Sequence, residues 1–191
     1  MRIGIDLDGV VYDWVDALRR FLVDNGRSAD EFPPPTTWNF WGEWGLTEHE
    51  FWDATGRGIE AGVIFGTGDP IPGSADVISD LVCDGHKVHI VTARRRNQAA
   101  AELTLRWLTC QGIPYHSLTF SHDKTIVPVD VFIEDNVDNA REVDRRPGSM
   151  AILLDQPWNQ GAPDLLRARD WHEVARLIDV VDRLVERGML L

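Results

Sequence analysis

The sequence contains little cysteine and no segment that resembles a membrane span. Its two cysteines, Cys83 and Cys110, are too few for a disulfide scaffold and lack neighbouring ligands at zinc-site spacing. No apolar run approaches the length of a membrane span, and the acid-bearing N-terminal strand does not resemble a signal peptide. These absences predict a reduced, cytoplasmic protein without a membrane partner.

Basic residues are also scarce relative to acidic ones. The chain has 19 Lys and Arg against 31 Asp and Glu, which gives a formal net charge of −12 at pH 7. A surface for a nucleic-acid polymer would normally be basic, so we expect no partner of that class. A small phosphorylated substrate remains open, because a few local basic groups suffice to bind it. The oligomeric state is open as well, with a homodimer among the alternatives.

What the sequence does contain is a buried strand that runs into two carboxylates. Residues 2–11 are mostly apolar around Asp6 and Asp8, and Gly9 then turns the chain. Side chains on an extended strand repeat with period two, so the two carboxylates would share one face and repel each other. A hard divalent cation would relieve that repulsion. Alternatively, the pair closes the strand and caps the next helix; an EF-hand does not fit the position of Gly9 or Ala17.

Helical and strand-like segments alternate further along the chain, as in an α/β fold. Apolar periodicity predicts helices over residues 14–23, 75–83, 98–110 and 170–187, and strands over 87–91, 129–133 and 150–154. Alternating strands and helices imply a parallel sheet with right-handed crossovers. Ligands of such sheets bind beyond the carboxyl ends of the strands. At 191 residues, we expect one core domain with a modest insertion.

Residues 14–70 differ in character from the rest and are predicted to form the insertion. They include three consecutive prolines at 33–35 and a capping box from Thr47 to Glu50. Four of the eight tryptophans fall within 38–52. These aromatic side chains form either the core of the insertion or a pocket that stacks on a planar ring. Because the proline-rich segment favours an irregular loop, our candidates for substrate contact are Phe40, Trp41 and Trp44.

Polar residues stand at further strand ends, where a site would need them. Thr92 and Ala93 follow a strand and open a helix, whose free N–H groups favour phosphate. Lys124 lies ahead of a strand that ends in Glu134 and Asp135. Adjacent acids are unfavourable in such a place unless a cation lies nearby. Each feature also has an ordinary explanation, a helix cap for the threonine and a solvated charge for the lysine.

Taken together, these features resemble the phosphatases of the haloacid dehalogenase (HAD) superfamily. The residues that match its four motifs are, in order, Asp6-Leu7-Asp8-Gly9-Val10, Thr92, Lys124 and Glu134-Asp135. The resemblance covers essentially the whole chain. It implies a Rossmann-like parallel sheet with helices on both faces, a core domain at 1–13 and 71–191, and a small, mainly helical C1-type cap at 14–70.

Within this superfamily the chain is most similar to the 5′(3′)-deoxyribonucleotidases. The supporting segments, besides the aromatic cap, are Asp69-Pro70-Ile71-Pro72-Gly73, Leu118-Thr119 and Asp123-Lys124-Thr125. Two positions depart from that family: Ala93-Arg94 replaces a common Ser-Pro, and Glu134 replaces an aspartate. The first change removes a hydroxyl that could bind phosphate. Arg94 is a candidate replacement, and with Arg95 and Arg96 it forms either a local positive charge or a solvated basic turn.

The resemblance implies a role for each motif residue. Asp6 would attack phosphorus to form an aspartyl-phosphate, and Asp8 would protonate the leaving oxygen and then activate water. Mg²⁺ would be held by a carboxylate oxygen of Asp6, the backbone carbonyl of Asp8 and the carboxylate of Asp135, with Glu134 acting through metal-bound water. The groups implied to hold the phosphoryl oxygens are Thr92, Lys124 and the backbone N–H groups of Ala93 and of the Asp8-Gly9 turn.

The implied function is a Mg²⁺-dependent phosphatase for nucleoside monophosphates, with deoxyribonucleotides favoured. Two alternatives remain: a phosphatase for a sugar phosphate or another small phosphometabolite, and a catalytically silent nucleotide-binding module. The silent module predicts loss of Asp6, Asp8 or Lys124, and all three are present. The sugar phosphatase predicts a polar cap, whereas this one is aromatic.

Overall fold

A computed structural model describes residues 1–94 and 98–187. In chain order its elements are β1 (Arg2–Ile5), α1 (Trp14–Asp24), α2 (Glu48–Glu60), α3 (Ser74–Cys83), β2 (Lys87–Thr92), α4 (Gln98–Cys110), β3 (Ser117–Phe120), β4 (Val131–Glu134), α5 (Val137–Asp144), β5 (Met150–Leu154), β6 (Arg167–Ala168) and α6 (Trp171–Glu186). Short 3-10 helices span Ala29–Glu31, Phe40–Gly42 and Pro157–Asn159. Strands β3 and β6 and helix α5 are additions to the predicted set, because each is too short to give a clear periodic signal.

The six strands form one sheet in the order β3-β2-β1-β4-β5-β6. Every neighbouring pair is parallel, and β1 pairs with both β2 and β4, so that Ile3 lies opposite Val88 on one side and Val131 on the other. From β1 the chain adds β2 and β3 on one side of this strand, and it then returns to add β4, β5 and β6 on the other side. This reversal leaves a crevice at the carboxyl ends of β1 and β4, where ligands of open α/β sheets bind.

Apolar side chains cover both faces of the sheet. Alternate strand residues such as Ile5 and Ile133 pack in one cluster with residues of α3, α4 and α6. The intervening positions, including Phe132, pack against α5 on the opposite face. Gly4 makes room for this second cluster, because a Cβ there would lie 2.3 Å from the Phe132 ring. The predicted fold class, a parallel α/β sheet with helices on both faces, is confirmed.

The 14–70 segment packs largely on a hydrophobic cluster of its own. This cluster joins α1, α2 and the loop between them, and Ala100 from α4 contributes to it. Thr47 and Glu50 form the predicted capping box at the start of α2. A bridge between Tyr12 and Pro70 brings the two ends of the segment together. The division into a core at 1–13 and 71–191 and a cap at 14–70 remains a prediction, with which this bridge is compatible.

None of the helices within residues 1–94 and 98–187 combines the length and the apolar character that crossing a bilayer requires.

Candidate active site

Two neighbouring strands deliver the acidic residues to one point. Asp6 directly follows β1, Glu134 ends β4, and Asp135 comes next. The Asp6 N–H donates to the carbonyl of Ile133 at 3.1 Å, which extends the pairing of the two strands into the site. All three carboxylic acids are buried, and one ligand oxygen from each lies within 4.8 Å of the others. We refer to Asp6, Glu134 and Asp135 as the acid cluster.

The acid cluster holds its protons more tightly than ordinary carboxyl groups do. Burial raises the pKa of Asp6, and the neighbouring Asp8 carboxylate raises it further. Burial, reinforced by the charge of Asp6, raises the pKa of Glu134 to about 7. Burial and the charge of Glu134 raise the pKa of Asp135 well above its usual range. Negative charge is therefore crowded here, and a cation would stabilise the ionised cluster.

Lys124 supplies one such cation from within the protein. Its side chain is 1% exposed, and Nζ lies 2.8 Å from Asp6 Oδ1 and 3.9 Å from Glu134 Oε2. Nζ also donates to the Val91 carbonyl at 3.0 Å. Burial alone would lower the pKa of this lysine, but the charges of Asp6 and Glu134 overcome that effect and raise it. Lys124 is thus held as an ammonium group inside the site rather than solvated.

The donor atoms of the cluster fit a hard divalent cation. Asp135 Oδ1 and Glu134 Oε2 are buried and have no hydrogen-bond partner among the described residues. Unpaired buried carboxylate oxygens are unfavourable, and three carboxylates face a single ammonium group. Mg²⁺ prefers oxygen ligands and is commonly bound through carboxylates. The arrangement therefore fits the Mg²⁺ that the sequence predicts. Glu134 is one of the three carboxylates that lie close enough to share the ion.

The segment after β5 fixes Asp135 in place. Trp158 Nε1 donates to Asp135 Oδ2 at 3.1 Å, and Asn159 Nδ2 donates to the Asp135 carbonyl at 2.9 Å. Gly9 borders the same carboxylate so closely that a Cβ there would lie 2.2 Å from Oδ2. The sequence analysis missed Trp158 and Asn159. Their position just beyond the end of β5, at the same edge of the sheet, was the available signal.

Asp8 faces a different cation. Arg94 binds its carboxylate from two nitrogens, with Nη2 2.7 Å from Oδ1 and Nε 3.1 Å from Oδ2. Among the described residues, the carboxylates that lie close enough together to share a metal ion are those of the acid cluster, and the Asp8 carboxylate is not one of them. The predicted contribution of Asp8 to the metal is its backbone carbonyl, and that contribution stays a prediction. The contact with Arg94 was not foreseen from the sequence.

The predicted phosphate-binding residues lie at the end of β2. Thr92 is its last residue and is fully buried, and its Oγ1 accepts a long hydrogen bond from the Arg94 N–H at 3.4 Å. Ala93 lies between Thr92 and Arg94 in the chain. The chain thus places the threonine beside the lysine that bonds to Val91, but their contact with a phosphate remains a prediction. Arg95 and Arg96, also considered above, lie outside the described residues.

Two of the three aromatic candidates of the insertion are buried rather than open to a substrate. Phe40 and Trp44 are only 6% and 2% exposed, and their rings pack edge to face at 4.7 Å inside the insertion's own cluster. Trp44 Nε1 donates to the Pro33 carbonyl at 2.9 Å, which anchors the proline-rich segment. The segment is less irregular than predicted, because it contains a 3-10 helix at Phe40–Gly42 in which Phe40 is buried. Trp41 keeps a partly exposed surface.

A different tryptophan of the insertion contacts Trp158, the hydrogen-bond partner of Asp135. Trp38 is 52% exposed, and its ring meets that of Trp158 at a centroid distance of 6.5 Å and an angle of 71°. Trp158 in turn donates to Asp135. The insertion is therefore connected to the acid cluster through an aromatic pair that the sequence analysis did not single out.

Solved structures share this overall fold. A HAD-superfamily hydrolase from Ehrlichia chaffeensis aligns with a TM-score of 0.54 and 12% identity, over 95% of this chain and 97% of that chain. The HAD-hydrolase YfnB from Bacillus subtilis, solved with magnesium bound, aligns with a TM-score of 0.61 and 12% identity, over 93% and 98%. With its lysine and acids at the carboxyl edge, the chain is a phosphoric monoester hydrolase of the HAD superfamily.

The family within this superfamily follows from sequence comparison. The family model "5′ nucleotidase, deoxy (Pyrimidine), cytosolic type C protein" matches residues 1–185, and the chain belongs to that family. A relative from Chlorobaculum tepidum, named "Putative 5′(3′)-deoxyribonucleotidase", is 31% identical over 182 residues, 92% of this chain and 89% of its own length. A nucleotidase from Clostridium acetobutylicum is 34% identical over 111 residues, 54% of this chain and 55% of its own. The predicted superfamily and enzyme class are confirmed.

Proposed function

We propose that the protein hydrolyses nucleoside 5′- or 3′-monophosphates, with deoxyribonucleotides favoured, by a Mg²⁺-dependent route through an aspartyl-phosphate on Asp6. The observation that carries this proposal is the pairing of Asp6 with a buried Lys124 inside the acid cluster. A carboxylate becomes a usable nucleophile towards phosphate only where neighbouring cations offset the charge of both reactants. Membership in a nucleotidase family supports the same chemistry.

In the first half-reaction, Asp6 attacks phosphorus and Asp8 assists the leaving group. A bond forms between a carboxylate oxygen of Asp6 and phosphorus while the bond from phosphorus to the ester oxygen breaks. The departing oxygen takes a proton from Asp8, so the nucleoside leaves as a neutral alcohol. The chemistry that Mg²⁺ supplies when bound is neutralisation of charge on the phosphoryl oxygens.

In the second half-reaction, water releases the phosphate. Asp8, now ionised, accepts a proton from the attacking water, whose oxygen bonds to phosphorus as the acyl-phosphate bond breaks. Asp6 is regenerated as a carboxylate and inorganic phosphate is formed. Lys124 contacts Asp6 throughout and stabilises the charge that passes between its carboxylate and the phosphoryl group. We propose that Thr92 and the Ala93 N–H hold the remaining phosphoryl oxygens.

The residues proposed to hold Mg²⁺ are Asp6 and Asp135 through their carboxylates and Asp8 through its backbone carbonyl. Glu134 either acts through metal-bound water or contributes its own unpaired oxygen, Oε2, which is buried beside the cluster. The magnesium in the structure of YfnB is compatible with this assignment.

A nucleoside is the proposed leaving group because the insertion offers aromatic surface. Trp41 and Trp38 retain exposed ring area, while Phe40 and Trp44 support the insertion from inside. Stacking of a base on one aromatic side chain contributes about 1–3 kcal/mol by analogy with single-stranded nucleic-acid binding. The name of the Chlorobaculum tepidum relative favours a deoxyribonucleotide.

Phosphate release from a panel of phosphorylated metabolites, measured with and without Mg²⁺, tests the proposal. The panel includes the deoxyribonucleoside and ribonucleoside monophosphates with phosphate at the 5′ or 3′ position, several sugar phosphates and p-nitrophenyl phosphate. We expect the highest kcat/KM with a deoxyribonucleotide. A sugar phosphate as the best substrate would contradict the nucleotide assignment, and tight nucleotide binding without phosphate release would identify a silent module.

A further inference from the structure

Arg94 is a fully enclosed cation beside the proposed acid–base residue. Its side chain is 0% exposed, and each guanidinium nitrogen has an acceptor. Nε and Nη2 bind the Asp8 carboxylate, and Nη1 donates to Thr104 Oγ1 at 2.9 Å. Thr104 is itself buried on α4, and its hydroxyl donates to the Ala100 carbonyl at 2.7 Å. The edge of the guanidinium plane is therefore tied both to Asp8 and to a helix.

Aromatic rings enclose Arg94 as well. Its guanidinium carbon lies 4.1 Å from the centroid of the Phe65 ring and 4.6 Å from that of Tyr12. Phe65 belongs to the insertion and has a backbone φ of 71°, a left-handed conformation that bulky residues rarely adopt. The Tyr12 hydroxyl accepts a hydrogen bond from the Phe65 N–H at 2.9 Å, which holds this conformation. The arginine is thus restrained at its edge and against aromatic rings.

The contact with Arg94 is what restrains the Asp8 carboxylate. The side chain of Asp8 is 28% exposed, whereas that of Asp6 is 11% exposed and bound by Lys124. A short carboxylate at a partly open position can rotate among several orientations, and a two-point contact with a rigid guanidinium removes that freedom. Two neighbouring aspartates therefore have separate cations, a lysine for the proposed nucleophile and an arginine for the proposed acid–base group.

We propose that Arg94 is a positioning residue that fixes the direction of the Asp8 carboxylate and connects it, through Phe65, to the insertion. This inference rests on the proposed function, in which Asp8 exchanges a proton with the leaving oxygen and with water. It assigns Arg94 to Asp8 and not to the phosphate, because each of its nitrogens already donates within the protein. Arg94 is therefore not the replacement for the hydroxyl that is missing at Ala93, although the sequence made it a candidate for that role.

The test compares Arg94→Lys with Thr104→Val. Lysine keeps the positive charge but loses the two-point contact, and valine removes the Nη1 acceptor without touching Asp8. We expect Arg94→Lys to lower kcat with the best nucleoside monophosphate, whose alcohol leaving group needs the proton of Asp8, by about 10²-fold, the scale of a roughly 1 Å misplacement of a catalytic group. Thr104→Val should lower kcat less, in the same direction. In both variants KM and the Kd of inorganic phosphate should stay within about twofold of wild type, because uniform binding is untouched.

Thr55→Val is the matched control. Thr55 is buried on α2 and its hydroxyl bonds to the carbonyl four residues earlier, as in Thr104, but the structure gives it no contact with an arginine. It should lose comparable thermal stability and keep wild-type kcat. Unchanged kcat in Arg94→Lys, or a weaker Kd for phosphate with unchanged kcat, would overturn the positioning role while wild type remains active. A wild type that releases no phosphate from any ester would instead overturn the proposed function, and this inference with it.

Discussion

At the scale of single residues, Asp6 experiences two opposing influences. Burial raises its pKa and so favours the neutral acid, while Lys124 at 2.8 Å favours the carboxylate that nucleophilic attack requires. The lysine is itself buried and depends on the surrounding acids for its charge. The two groups therefore stabilise each other's ionised forms, and neither is expected to keep its state when the other is removed.

Lys124→Met tests this dependence. Methionine fills a similar volume but carries no charge, so Asp6 would face only acids, and turnover should fall on the order of 10²–10³-fold. The protein should also melt at a lower temperature, because breaking a buried pair leaves an uncompensated charge. The control is Lys87→Met, since Lys87 is the other lysine of the chain and is exposed. Equal kinetics of Lys124→Met and wild type would mean that the lysine is not part of the site.

At the scale of elements, the loop after β5 links the insertion to the acid cluster. The 3-10 helix at Pro157–Asn159 presents Trp158 to Asp135 with its N–H and to Trp38 with its ring. A hydrogen-bond partner of a metal ligand fixes the orientation of that ligand and influences metal affinity. The loop is therefore expected to influence how tightly the site holds Mg²⁺.

Trp158→Phe removes the N–H and keeps an aromatic ring. Outer partners of metal ligands typically change affinity by about 10–100-fold, so the Mg²⁺ concentration for half-maximal activity should rise by roughly tenfold. Direct Mg²⁺ titration by calorimetry should show the same weakening. Trp52→Phe is the control, because Trp52 is 47% exposed on α2 and its ring packs against Phe51 inside the insertion. Identical titration curves for Trp158→Phe and wild type would remove Trp158 from this role.

Within the insertion, burial separates structural aromatics from candidate substrate contacts. Phe40→Ala should lower the free energy of unfolding by about 3–5 kcal/mol, the range for large truncations in a packed core. It should impair a deoxyribonucleotide and p-nitrophenyl phosphate together. Trp41→Ala should raise KM for the nucleotide by up to about tenfold, the equivalent of ~1.4 kcal/mol of stacking, with a smaller effect on the generic ester. Equal effects of Trp41→Ala on both substrates would remove Trp41 as a base contact.

At the scale of the whole molecule, the acid cluster links stability to pH. The pKa of Glu134 is about 7 in the folded protein, above the ordinary value of 4.5, so the folded state binds more protons between these two values. Stability of the metal-free protein should therefore decline as pH rises through this window and level off above it. Asp6 and Asp135 shift in the same direction. Ionisation of the cluster thus opposes folding until a cation binds.

Melting temperatures of wild type and Glu134→Gln between pH 5 and pH 8 measure this link. Glutamine stays neutral and also removes a negative charge beside Asp135. The melting temperature of metal-free Glu134→Gln should therefore rise relative to that of wild type as pH increases, by at least about 2 °C at pH 8. Added Mg²⁺ should stabilise wild type more at pH 8 than at pH 5, because it competes with protons for the carboxylates. A difference between the two proteins that does not vary with pH would contradict the raised pKa.

The sequence predicts the acid cluster well because its members occupy strand ends. Hydrophobic periodicity locates β1 and β4, parallel pairing brings their carboxyl ends together, and Asp6 and Glu134 follow. Contacts between distant elements are not encoded in any local pattern. The pairs Arg94–Asp8 and Trp158–Asp135 depend on how loops fold back over the sheet, so both were missed.

The insertion also shows this limit of sequence-based prediction. Its proline-rich sequence predicts a loop, yet the turn at Phe40–Gly42 and the hydrogen bond from Trp44 to Pro33 are part of a packed core. Whether an aromatic side chain faces inwards depends on all of its neighbours at once. Composition alone gives the density of rings but not their direction.

Detection of the covalent intermediate is the most direct test of the central claim, that Asp6 is the nucleophile. Wild type mixed with a phosphorus-labelled deoxyribonucleoside monophosphate and Mg²⁺ would be quenched in acid within a single turnover and digested. We predict label on the peptide that contains Asp6, removable by hydroxylamine as expected of an acyl phosphate, and no label in folded Asp6→Asn. Rapid turnover by wild type without such a label, or an equally labelled and active Asp6→Asn, would contradict the account.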